Sequence, residues 1–168
     1  MITVRIEKKP AFVVVGRKTH ITGQDNEQFG VFWQQSHANG FIAQLKALRS
    51  GVPGEVTQSL VFGVSRCEAD PANRAFDFYI AAEAPSFATP TDMERFVVPA
   101  CTWAIFGNRG ALPMSLIDAE LECHLRWLPA SGYAHALAPE LEIYPAGDSQ
   151  QIEYWLPICS KGLRPLDV

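Results

Sequence analysis

The sequence predicts an α+β fold: a pseudo-two-fold repeat of two β-α-β-β units with antiparallel sheets and a ligand cleft between the halves. Short runs of β-branched and aromatic residues, bounded by Pro, Gly and Asn, recur along the 168 residues and read as strands. Two segments carry apolar residues at helical spacings of three and four, one in each half of the chain. The order of two strands, a helical segment and two strands occurs twice, over about 1–85 and 92–168. Strand runs interrupted by single helices favour antiparallel pairing, and a two-fold arrangement leaves a cleft where ligand sites form.

Residues 2–7 and 11–19 read as strands broken at Pro10, the second carrying "AFVVVG". Asp25 is a candidate N-cap for a helix whose apolar face holds Phe29, Phe32 and Trp33. "HANG" (37–40) breaks that helix, and Phe41, Leu45 and Leu48 continue a second, shorter one. Strands at 59–66 and 74–84 flank a polar loop with Asp70, Pro71 and Asn73. After the loop "PSFATPTD", "MERFVVP" and "CTWAIFGNRG" read as two strands parted near Pro99. A helix over about 111–128 has Met114, Ile117, Leu121, Leu125 and Leu128 on one face and stops at Pro129 and Gly132. The final hairpin occupies 138–158.

Composition narrows the function. A single domain with 48% hydrophobic residues builds an ordinary core. A net charge of −4, with only 19% charged residues, argues against a nucleic-acid binder, which shows a basic face. No run of eighteen apolar residues suggests a membrane span, and "MITVRIEKKP" lacks the apolar core of a secretory signal. Cys67, Cys101, Cys123 and Cys159 lie far apart without a CxxC pair, which suits the reducing cytoplasm and predicts no metal site. No Gly-rich phosphate loop, HExxH or nucleophile elbow is present, and no cofactor is expected.

The last hairpin, "APELEIYPAGDSQQIEYWLPI", places acids among large apolar residues. A four-residue loop, 147–150, pairs residues whose numbers sum to 297, setting Glu142 opposite Trp155 on a face shared with Tyr144 and Glu153. Leu141, Ile143, Tyr154 and Leu156 then form the apolar face. A slip of one residue exchanges the faces. An ionised carboxylate among rings is costly unless paired. A flat organic cation is a natural partner, each ring face attracting it by roughly 0.5–2 kcal/mol. A solvent-facing edge position, or an ion pair with Arg126 or Arg109, is the alternative for Glu142. Glu153 reads as a rim or surface acid. His20, His37, His124 and His135 fall in separate elements and read as surface or packing residues.

Seven stretches in order resemble the GyrI-like small-molecule-binding domains, found in bacterial AraC-type regulators and multidrug-sensing transcription activators. They are "PAFVVVGRKTHIT", "GVFWQQ", "VFGVS" with "FDFYIAAEA", "VVPACTWAIFGNRG", "LRWLPASGY", "LEIYP" and "IEYWLPI", spanning about 2–159. The resemblance implies paired β-α-β-β units around a ligand cleft and makes Glu142 the buried acid for cationic ligands. It maps Trp155 and Trp103 to aromatic positions of the cleft and Trp33 to a helix tryptophan at its border. Phe78, with Tyr79 beside it, stands where the family usually has tyrosine, which removes a hydroxyl. Trp127 and Tyr133 are assigned to packing at the helix end.

Three functions follow as expectations. The first is a module that binds cationic or aromatic lipophilic compounds, as a sensor or a sequestering protein, possessing no DNA-binding domain and working with a separate regulatory protein. The second is a hydrolase of electrophilic small molecules with Glu142 as general base, supported by Tyr144 or Tyr79. The third is a gyrase-inhibitor-like interaction domain.

Overall fold

A computed structural model describes residues 1–23, 26–84 and 89–162. The chain starts with β1 (Thr3–Lys9) and β2 (Phe12–Ile21), parted at Pro10, where the missing amide hydrogen suits the end of a strand. Next come α1 (Glu27–Ala38) and α2 (Phe41–Leu48). The two helices part at Gly40, whose φ of +83° is readily adopted by glycine alone. Asp25, the expected cap, lies outside the described residues, as do residues 85–88 of the expected loop.

β3 (Phe62–Arg66) and β4 (Phe76–Glu83) complete the first half of the chain. β5 (Glu94–Val98) and β6 (Cys101–Arg109) open the second. α3 (Met114–Leu121) then runs without a break into a π-helical stretch (Glu122–Trp127) and a closing turn (Leu128–Ala130). β7 (Tyr133–His135), which the sequence reading did not anticipate, precedes β8 (Glu140–Ile143) and β9 (Gln151–Ser160).

The strands form one antiparallel sheet in the order β1-β6-β9-β8-β3-β4-β2-β5, with β7 pairing to β9. Each outer strand pairs with a strand from the other half of the sequence, β1 on β6 and β5 on β2. The halves join at the centre, where β3 pairs with β8.

Alternation along each strand then sorts the core. Phe76, Phe78, Ile80 and Ala82 of β4 pack beneath α1 and α2, where Phe41 and Leu45 are fully buried and contribute about 2 kcal/mol each. Ala104 and Phe106 of β6, with Tyr154 and Leu156 of β9, pack beneath the second helical run. The opposite face buries Phe12, Val64, Ile105, Leu141 and Trp155 in one cluster without any helical residue. Full burial without a covering helix requires the sheet to curl over itself. Phe12 on β2 accordingly reaches across β4 to within 6.4 Å of Phe62 on β3.

The second helical run corrects the expected core stripe. Ser115, Ala119 and Cys123 are the buried residues, and their small side chains let the helix lie close on the sheet. Met114, Leu121 and Leu125 stay 57%, 49% and 69% exposed. Trp127 stacks on Tyr133 at 5.8 Å, the packing expected of them. No helix among the described residues is long and apolar enough to cross a membrane. The four cysteines are free.

Candidate ligand-binding site

β8 enters the centre of the sheet carrying two acids two residues apart, so both project toward the helices. Their neighbours Leu141 and Ile143 project the other way into the helix-free core. The two carboxylates meet opposite environments.

Glu140 is buried and fully paired. Arg74 donates to it from both terminal nitrogens, at 3.0 and 3.1 Å. The Tyr154 hydroxyl donates at 2.6 Å, His135 Nε2 lies 2.8 Å away, and the Cys67 thiol donates at 3.3 Å. His124 Nε2 extends the chain, 2.8 Å from the Tyr154 hydroxyl. Burial alone would raise the Glu140 carboxyl, but these donors and the guanidinium charge hold it well below the usual carboxylate range.

Glu142 has no such cation among the described residues. Tyr144 donates its hydroxyl to Oε2 at 2.7 Å, and the Trp33 indole donates to Oε1 at 3.3 Å. The arginines named as alternative partners are engaged elsewhere, Arg109 with Asp148 and Arg126 with Glu122. Burial pushes the Glu142 carboxyl up to about 6, against the downward pull of the two donors.

Glu142 lines a cleft of about 2250 Å³ between the helices and the sheet. That exceeds the ~300–1,000 Å³ of sites for drug-sized molecules. Phe29, Trp33, Phe78 and Tyr144 make its aromatic wall. Trp33 meets Tyr144 edge-on at 5.6 Å and Phe78 at 6.4 Å. Leu121 and Leu125, exposed on the second helical run, also line the cleft, which gives their apolar surface a use.

Four expected site residues, Glu142, Tyr144, Phe78 and Trp33, therefore come together. The structure places the other three on the opposite face. Leu141 pairs with Trp155, so the register sums to 296 and not 297. That slip turns Trp155 into the helix-free core, with Lys9 over its ring and its indole donating to Glu153. Trp103 lies in the same core, 5.6 Å from Trp155. Tyr79 alternates with Phe78 on β4 and donates to Glu94. Glu153 is not a surface acid, being largely buried and paired with Arg5 at 2.8 Å.

A family model describing the Cass2 proteins, integron-associated effector binding proteins, matches residues 5–158. The chain belongs to this effector-binding family. No curated protein matches it by sequence. Among solved structures, SAV2435 bound to tetraphenylphosphonium has a TM-score of 0.76 at 20% identity, covering 94% of each chain. An integron cassette protein from the mobile metagenome of Vibrio cholerae has a TM-score of 0.68 at 16% identity, covering 93% of this chain and 95% of that one. The C-terminal domain of EcmrR has a TM-score of 0.61 at 15% identity, covering 95% and 99%. At such identities the likeness is one of fold, and it agrees with the α+β expectation.

Two features bear on how this family member holds its acids. Cys67, His135 and Glu140 bring three potential metal-ligand atoms within 4.8 Å of one another. Arg74 occupies Glu140 from both terminal nitrogens, so a metal ion would have to displace a guanidinium. Gly63 lies directly across β3 from Glu142. A Cβ there would stand 2.2 Å from Glu142 Oε1, so glycine is what lets the carboxylate lie over the neighbouring strand. Gly63→Ala is expected to cost roughly 1–3 kcal/mol through overpacking, measured by urea unfolding. Adding Glu142→Ala should relieve much of that cost, and an unaltered midpoint in Gly63→Ala would refute the close fit.

Proposed function

We propose that this protein is a small-molecule-binding module that captures lipophilic aromatic cations in the cleft, with Glu142 as the counter-charge. The observation that carries this reading is a carboxylate lining an aromatic cleft, held by neutral donors and without a cation of its own. Trp33 and Tyr144 fix both oxygens in place before a ligand arrives, which limits the ordering cost of binding. The faces of Trp33 and Phe78 add cation–π attraction of about 0.5–2 kcal/mol per ring. The tetraphenylphosphonium bound by SAV2435, a neighbour in fold, belongs to the same ligand class. The module serves in the cytoplasm as an effector sensor or a sequestering protein, passing its state to a separate regulatory protein and not contacting nucleic acid itself.

The test is a fluorescence or calorimetric titration with tetraphenylphosphonium across acid and neutral pH. A proton and the cation compete for Glu142, which titrates at about 6 in the free protein. Affinity should fall as pH drops through 6, by up to tenfold per pH unit, and level off toward neutrality. Binding that ignores pH over this range, or no binding at all, would remove the basis of the proposal.

A further inference from the structure

A second acid reaches the same cleft from the opposite wall. Glu120 lies on α3, which packs on β6 and β9, and its side chain lines the cleft with Leu116, Ile117 and Leu121. No hydrogen bond or ion pair reaches its carboxyl among the described residues, although the surrounding structure largely withdraws it from water. A structural acid at such a site would be expected to hold a partner, as Glu140 holds Arg74. Glu120 instead stands at the turn of α3 just before the π-helical stretch, an irregularity frequent at functional sites.

We propose that Glu120 and Glu142 form a two-point acidic recognition site, and that the ligands fitting this cleft best carry two cationic centres joined by an apolar spacer. The proposal rests on the reading of Glu142 given above and extends it to ligand valence. One end of the ligand meets Glu142 and the Trp33 face, and the other meets Glu120 beside the exposed leucines of the second helical run. The spacer crosses the apolar part of the cleft. The site is not charged at both points before binding. Burial, with the nearby charges of Glu142 and Glu140, pushes Glu120 up to about 8, and Arg74 opposes them. Tyr144, Tyr154 and Cys123 also face it, and each titrates well above neutrality. His124, one turn along, is turned to Tyr154, and burial lowers it. At neutral pH Glu120 is therefore mainly protonated, and a second cationic centre must expel that proton to form its ion pair.

Bis(trimethylammonio)alkanes of graded spacer length, with their mono-ammonium counterparts and tetraphenylphosphonium, test this by calorimetry at pH 7 in buffers of different ionisation enthalpy. The expected result is a preferred spacer length, about tenfold tighter binding than the matched mono-ammonium compound, and release of close to one proton. Glu120→Gln should abolish the advantage and the proton release while leaving tetraphenylphosphonium affinity unchanged. Dications no tighter than their counterparts, or no proton release by the wild type, would overturn the proposal even if tetraphenylphosphonium binds normally. Equal loss for both ligand classes in Glu120→Gln would also overturn it, since Glu120 would then merely shape the cleft. Failure of every cation to bind the wild type would sink the Glu142 reading and this one together.

Discussion

Replacing Glu142 with glutamine is expected to weaken tetraphenylphosphonium binding about thirtyfold, the ~2 kcal/mol typical of a hydrogen-bonded charge removed from a desolvated pair. The same change is expected to make the free protein more stable. The folded state holds the Glu142 carboxyl at about 6, above its ordinary value of 4.5. The unfolded chain therefore ionises more easily, and above pH 6 the folded state carries a penalty of up to about 2 kcal/mol. As pH falls toward 4.5 both states become protonated and the penalty disappears. Glutamine removes it, so the variant should gain stability at pH 7 and gain nothing near pH 4. Denaturant unfolding at the two pH values, with titration at pH 7, reads both effects. Weaker binding without the stability gain would show an acid tuned for packing and not for a ligand.

The second large effect is expected two residues away with the opposite sign. Arg74→Ala should destabilise the fold by about 3 kcal/mol, because it strands a buried carboxylate. In a chain of this size that lowers the melting temperature by roughly 10 °C. Wild-type Glu140 is held well below the ordinary carboxylate range, so its contribution is present above about pH 4.5 and fades as acid protonates it. The cost of Arg74→Ala should shrink in acid accordingly. Adding Glu140→Gln should recover part of the loss, since the two residues act as one unit. A loss below 1 kcal/mol would mean that Tyr154 and His135 suffice without the guanidinium. Neighbouring acids thus divide their work, Glu140 closing the structure and Glu142 remaining open to a ligand.

Much of this architecture was legible in the residues. The strand runs, the helix break at Gly40 and the class of fold follow from period, β-branching and punctuation, which act locally. Glu142 stood out because a central strand otherwise buries hydrocarbon. Trp155 was misplaced because the register depends on one loop residue, and a strand's period of two turns that single error into a change of face. Glu140 carried a readable signal, sharing the period-two face with Glu142, but its partner Arg74 is distant in sequence and only the fold unites them. Glu120 carried almost none. It sits beside the leucines that helical spacing assigned to the core, and only the position of α3 shows that this stripe borders a cleft. The small residues Ala119 and Cys123 decided which face packs, and their size, more than their hydrophobicity, was the clue.

The central claim is that Glu142 waits as an unpaired carboxylate for a cation, and carbon-13 NMR titration of its side-chain carboxyl tests this most directly. The free protein should show a midpoint near 6. Saturating tetraphenylphosphonium should lower it by about 1.5 pH units, the shift that a thirtyfold preference for the ionised form requires. A midpoint near the ordinary carboxylate value, or one that the cation leaves in place, would contradict the account.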